Sequence, residues 1–236
     1  MSIDVSFILN AFVQLLFSVP TTLLITGVSV LCGFVIGMAI ALVRIFSVPV
    51  LSSIAIWYVT FIRGTPMLVH LLLIYNGLPL LIDGLSHRLG WGFKSAAIPV
   101  IDFVCLSFSI TASAYLSEVI RSGLLAIDRG QMEAALSIGM TKPQALRRVV
   151  LPQALAASIP NFSNTVIGML HGSTLAFTVP VVEVMAKAQI VASTNWKFLE
   201  SYLAAAVIFW GITVLIETSA GLLERRVNLY NRGGVA

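Results

Sequence analysis

Charge is what this sequence has least of. Only 10% of its 236 residues are Asp, Glu, Lys or Arg, whereas a soluble domain carries about a quarter. No charge stands between Asp4 and Arg44, from Ile45 to Ile62, from Gly64 to Ile82, or from Val149 to Val182. With 58% apolar residues, such runs exclude a soluble domain. They demand helical spans of roughly 20 residues, because lipid offers no partner to an open backbone group. Cysteine is nearly missing too. Cys32 and Cys105 both sit inside apolar runs and read as small buried residues, with no disulfide or metal-site signal. No G-x-x-x-x-G-K-[ST] loop occurs, so ATP hydrolysis is not expected in this chain. The first apolar stretch has no basic flank and several others follow it, which argues against a cleaved leader. Internal repeats and low-complexity tracts are also missing.

What is present is an alternation of apolar spans and short polar connections. Residues 1–19 read as an extracytoplasmic or interfacial lead-in, with Asp4 and Asn10 as its most polar members. A first span runs from Pro20 to Val43 and holds Gly33 and Gly37, a spacing that allows close helix contact. The next apolar run is interrupted by Arg63-Gly64-Thr65-Pro66, giving a shallow helix up to Phe61 and then a span from Pro66 to about Leu80. Gly77 and Pro79 loosen its outer end, and Asp83 to Lys94 reads as an external loop. A third span covers Pro99 to Leu116, a fourth starts near Leu151-Pro152, and a fifth runs from Phe198 to Leu222, stopped by Glu224-Arg225-Arg226. Val179 to Lys197 is a mixed external segment. The fold class is therefore all-α, a polytopic membrane protein of about five spans, with one membrane domain over 20–226 and a tail over 227–236.

The net charge of +4 is not a nucleic-acid signal, because its distribution follows the membrane. Arg121, Arg129, Lys142, Arg147 and Arg148 fall in one connection, and Arg225, Arg226 and Arg232 at the tail. Short basic segments beside spans stay in the cytoplasm, so the N-terminus lies outside and the C-terminus inside. Arg147 and Arg148 are read as membrane-surface charges, and Arg63 as a structural one.

Between Glu118 and Arg148 the chain becomes polar. Gly130 to Ile138 predicts a helix ended by a left-handed Gly139. Thr141 is a ready N-cap for a second helix, with Pro143 in its first turn and Gln144 at capping-box spacing. Met132, Ala135 and Leu136 share one face of the first helix. Small Ala134 and Ala135 would let a partner surface come close. An interfacial hairpin on anionic lipid and a docking element for a cytoplasmic motor both fit these features.

The residues Glu133-Ala134-Ala135-Leu136-Ser137-Ile138-Gly139, followed by Leu151-Pro152-Gln153-Ala154, resemble the Glu-Ala-Ala loop of the transmembrane permease subunits of bacterial ABC importers. Arg63-Gly64-Thr65-Pro66, Tyr75-Asn76-Gly77-Leu78-Pro79, Ser173-Thr174-Leu175 and Val179-Pro180-Val181-Val182-Glu183 are similar to segments of the polar amino acid branch. The resemblance implies a type I ABC importer transmembrane domain that pairs with a second permease copy, as a homodimer or heterodimer. Two cytoplasmic ABC ATPase subunits, which would carry ATP-Mg, would engage the segment 118–150. An extracytoplasmic binding protein would deliver a small polar amino acid. Glu133, Ala134, Ala135 and Gly139 would form the ATPase contact. No catalytic, cofactor or metal site is expected here, and the membrane location implied is the bacterial cytoplasmic membrane.

Polar residues at mid-depth are candidates for the translocation path: His70, Asn76, Ser109, Thr111, Asn161, Asn164, His171 and Ser173. Two depart from the family pattern. His70 stands where Gln is usual, and His171-Gly172 replaces Lys followed by Asp or Asn, removing a fixed positive charge. Neutral packing between helices is the alternative reading for each. As path residues they would point to cystine or another neutral polar amino acid. An opine, an amine or another small solute carried by the same architecture remains the alternative. A stand-alone channel or secondary transporter would need carboxylates deep in the spans; few are present, and the best candidate is Glu217, near the inner end of the last one.

Overall fold

The computed structural model describes residues 3–232, with side chains through residue 227. Its helices are α1 (Val5–Leu16), α2 (Val19–Ile45), α3 (Leu51–Gly64), α4 (Met67–Leu89), α5 (Val100–Leu125), α6 (Arg129–Ser137), α7 (Lys142–Ala145), α8 (Leu151–Gly172), α9 (Val184–Ser193) and α10 (Phe198–Arg232). The chain is a multi-span, all-α membrane bundle. Four helices, α2, α4, α5 and α10, have both the length and the apolar composition to cross a membrane. The 22 residues of α8 give it about 33 Å of length, but its polar residues keep it out of that group. It is the crossing expected fourth in the chain, and its polar residues gather on one face.

α5 is the central post, packed by α2, α8, α4 and α3. Its crossing with α2 is closest where two glycines face it. A Cβ on Gly33 would stand 2.6 Å from the Ala112 Cβ, and one on Gly37 would stand 2.8 Å from the Ser113 carbonyl oxygen. The small-residue spacing thus brings two backbones together, as dispersion-driven packing in lipid favours. A second core joins Ala11 and Leu15 of α1 to Val184, Ala188 and Val191 of α9 and to Ala204, Ala205 and Ile208 of α10. Asp4 caps α1 by accepting from the Phe7 N–H at 3.0 Å, and Lys197 Nζ reaches its other oxygen at 2.5 Å. The 1–19 segment is therefore built into the bundle and does not lie apart on the interface.

The break at Arg63–Pro66 falls where the sequence predicts it, but several helix ends do not. α4 runs through Gly77, Pro79 and Gly84 to Leu89 and ends on Gly90 at φ +66°, so most of the expected 83–94 loop is helix. α5 continues past Glu118 to Leu125, and α10 passes Glu224-Arg225-Arg226. The common reason is that a helix satisfies its own backbone and can leave the hydrocarbon layer without stopping. Charges mark the membrane boundary, not the end of hydrogen bonding. Of the expected 227–236 tail, residues up to Arg232 continue α10, and 233–236 lie outside the described residues.

Candidate functional site: a polar cavity above a capped hairpin

α6 and α7 form the predicted hairpin. Asp128 caps α6 by accepting from the Gly130 N–H at 2.7 Å. Gly139 turns the chain at φ +86°, a conformation that a side chain resists. Thr141 and Gln144 form the capping box, with the Thr141 N–H donating to Gln144 Oε1 at 2.9 Å. The next five residues, Leu146–Val150, form one π-helical turn that leads without interruption into α8. Gln153 Nε2 donates to Gln131 Oε1 at 3.2 Å and ties α8 back to α6. Glu133, Ala134, Leu136 and Gly139 are exposed, whereas Ala135 is buried. Ala135 therefore supports the hairpin from within and does not join Ala134 on its outer surface.

Above this hairpin lies a cavity of about 650 Å³ between α5 and α8. α5 contributes Thr111, Tyr115, Glu118 and Ser122, and α8 faces them with Asn161, Asn164, Thr165 and Gly168. Both sets recur at three- and four-residue steps, so each helix turns one polar stripe toward the other. Arg63, Thr65 and Met67 complete the wall from the α3–α4 break. Over the eleven residue steps from Thr111 to Ser122 the stripe extends about 16 Å, roughly half the hydrocarbon thickness.

One end is closed by a hydrogen-bonded histidine. His70 is buried, with Nε2 2.6 Å from Thr65 Oγ1 and Nδ1 3.1 Å from Thr111 Oγ1. Met67 and Met169 flank this end, and the Met67 methyl packs where a Cβ on Gly172 would stand. At the other end Glu118 is clamped between arginines. Arg44 binds its Oε1, and Arg121 Nη2 binds its Oε2 at 3.0 Å. Arg63 lies between the two ends, its guanidinium 5.5 Å from the centre of the Tyr115 ring. The expected bracing role of Arg63 is therefore joined by a place on the cavity wall.

Of the residues expected on a path, Thr111, Asn161 and Asn164 line the cavity and His70 stands directly behind it. The other four do not. His171 turns to α10, with Nε2 3.2 Å from Thr213 Oγ1 and its ring edge-on to Phe209 at 6.3 Å. Ser109 and Ser173 are buried and donate to the carbonyls of Cys105 and Leu170 at 2.6 and 2.7 Å. Asn76 is exposed and donates to the Leu72 carbonyl at 2.8 Å. The residues that the sequence reading missed are Thr65, Tyr115, Glu118, Ser122 and Thr165. Their signal was periodicity, since extending Thr111 by helical steps along α5 reaches Tyr115, Glu118 and Ser122.

Residues 5–229 match the model of the family described as binding-protein-dependent transport system inner membrane component. The chain belongs to this family. It is thus the non-catalytic membrane permease subunit of an ABC transporter, importing an amino acid or a related small polar solute. The probable amino-acid permease protein YxeN of Bacillus subtilis (strain 168) is 39% identical over 227 residues, 96% of this chain and 97% of that one. The L-cystine transport system permease protein TcyL of the same organism is 36% identical over 208 residues, covering 88% of this chain and 84% of its own. Among solved structures, one described as an amino acid ABC transporter with histidines superposes with a TM-score of 0.81. It is 33% identical and covers 96% of this chain and all of that one. The type I importer fold that the permease subunit needs is therefore established by sequence and by shape.

Proposed function

We propose that the cavity between α5 and α8 is the translocation path for a neutral polar amino acid, with cystine as the first candidate. The observation that carries this is the pair of facing polar stripes, which run from His70 toward the end of α5 that leads into the α6–α7 hairpin. A membrane helix keeps such a stripe only against protein or a water-filled cavity. Cystine is supported by the likeness to TcyL and by the cavity's charge. Glu118, the one carboxylate among the described residues on its wall, is already neutralised by Arg44 and Arg121, so no free carboxylate there favours a substrate of net positive charge. In this reading two permease copies associate, and two ATPase subunits grip the hairpins of segment 118–150 through Glu133, Ala134 and the turn at Gly139. A binding protein delivers the solute on the side where α1 begins. The N-terminus lies outside the bacterial cytoplasmic membrane and the C-terminus inside, which the basic residues of the hairpin and of the α10 end support.

The test is substrate-stimulated ATP hydrolysis in liposomes that hold this chain with its ATPase and binding protein, across a panel of amino acids. Stimulation by cystine or another neutral amino acid is expected, and it is lost in Gly139→Pro and at least weakened in Glu133→Ala while the complex still assembles. Solute flux without ATP, or no stimulation by any amino acid, would sink the proposal.

A further inference from the structure

Two observations on the cavity wall point to a specific ligand: the hydroxyl protons at its His70 end are committed, and among the described residues Arg63 on the same wall has no carboxylate partner. Thr65 Oγ1 lies 2.8 Å from the Phe61 carbonyl oxygen and 2.6 Å from His70 Nε2. Thr111 Oγ1 lies 3.2 Å from the Ser107 carbonyl oxygen and 3.1 Å from His70 Nδ1. Each hydroxyl has one proton, and each has two acceptors or a ring N–H donor to satisfy.

In a neutral imidazole one nitrogen donates and the other accepts. If Nε2 carries the proton, Thr65 accepts from it and donates to Phe61, while Thr111 donates to Nδ1. If Nδ1 carries it, Thr111 accepts and donates to Ser107, while Thr65 donates to Nε2. In both tautomers each hydroxyl proton is used against His70 or a backbone carbonyl, and neither turns to the cavity. What remains at this end is oxygen lone pairs, and those recognise a donor.

Arg63 is the complement. Among the described residues it has no carboxylate within ion-pair distance, and Glu118 on the same wall is paired with Arg44 and Arg121. Its guanidinium is held over Tyr115, one turn (~6 Å) along α5 from Thr111. An exposed guanidinium with five donors and no carboxylate partner recognises a carboxylate, often through two parallel hydrogen bonds. Acceptors and a cation one turn apart match the two ends of a free amino acid.

We infer that the cavity contains a zwitterion subsite, in which the hydroxyls of Thr65 and Thr111, fixed by His70, accept from the substrate ammonium while Arg63 binds its carboxylate. This rests on the translocation-path reading and specifies it. His70 is a positioning residue, because it acts through the two threonines.

The experiment is binding of three probes to the assembled permease–ATPase complex in nanodiscs without binding protein, read by isothermal titration. The probes are L-cystine, its diacetyl derivative with both ammonium groups masked, and its dimethyl ester with both carboxylates masked. The wild type is expected to bind cystine at least about tenfold more tightly than either masked form, the value of one lost charge-assisted bond. Thr111→Val and His70→Leu should weaken cystine and no longer distinguish it from the diacetyl form, yet still reject the ester. Arg63→Gln should do the opposite. His70→Gln, which keeps one donor and one acceptor, and Thr111→Ser should restore the wild-type pattern.

Wild-type complex that binds a masked form as tightly as cystine overturns the inference without any variant. So do variants that weaken all three probes equally, which is the mark of a structural role. Those results leave the path reading intact, provided the liposome complex still responds to cystine. Failure of the path reading shows instead as no response to any amino acid.

Discussion

Gly33 and Gly37 show how much one methyl group decides at the centre of this bundle. With 2.6 Å and 2.8 Å to the nearest atoms of α5, even alanine must push the helices apart, and overpacking of this kind costs about 1–3 kcal/mol. Gly33→Val and Gly37→Val are expected to lower the thermal unfolding midpoint of the detergent-solubilised protein. Gly27→Val, on the same helix with open space around it, should leave it nearly unchanged. The glycine spacing was visible in the sequence, but such pairs are also common by chance in membrane helices, and it is the contact with α5 that gives this one its meaning. Polar path residues were harder to read for a physical reason. Serine, threonine and asparagine in a helix can bond their own backbone three or four residues back, as Ser109, Ser173 and Asn76 do. A polar letter inside a span therefore says nothing about direction. Thr111, Asn161 and Asn164 reach the cavity because they fall on the stripe.

Between elements, ionic contacts fix α2 to α5 and a buried carboxylate starts α9. Removing Glu118 alone leaves Arg44 and Arg121 facing each other without an anion. Glu118→Gln is expected to cost about 1–3 kcal/mol. The double variant Glu118→Gln with Arg44→Gln should recover part of that loss in thermal melts, because the stranded cation is gone. Glu183 lies outside the spans at the N-cap of α9, where its carboxylate accepts from the N–H groups of Met185 and Ala186 at 2.8 and 2.7 Å. Burial pushes its pKa up to about 7, against the opposing pull of those two bonds. The folded value thus lies above the ordinary 4.5, so the folded chain holds this proton more tightly than the unfolded chain. Its contribution to stability is complete below the ordinary value and is lost as pH rises through about 7. The melting midpoint should be higher at pH 5 than at pH 8, and Glu183→Gln should flatten that difference. Equal slopes in wild type and variant would refute this. Helix order and the α6–α7 hairpin were legible because caps are local chemistry. The ends of α4, α5 and α10 were not, because neither glycine nor charge stops a helix whose neighbours or headgroups accommodate it.

For the whole molecule, the polar stripe at the centre is the proposed path, and the capped hairpin at one end is the proposed motor contact. α8 belongs to both, since it starts in the π-helical turn after the hairpin and carries Asn161 and Asn164 into the cavity. In the proposed reading, a push on the hairpin would reach the cavity wall through α7, the π-helical turn and α8, which follow one another without a break. The most direct measurement is solvent access along that wall in the complete complex. Single cysteines at Ser122, Asn161 and Asn164, and at Ser109 and Ser173 as controls, would be placed in a background lacking Cys32 and Cys105. A membrane-impermeant thiol reagent would then be applied to inside-out vesicles. We expect the three cavity positions to react rapidly and to be protected by the transported amino acid, while Ser109 and Ser173 stay unreactive. Unreactive cavity positions, or reaction rates that the amino acid leaves unchanged, would contradict a translocation path between α5 and α8.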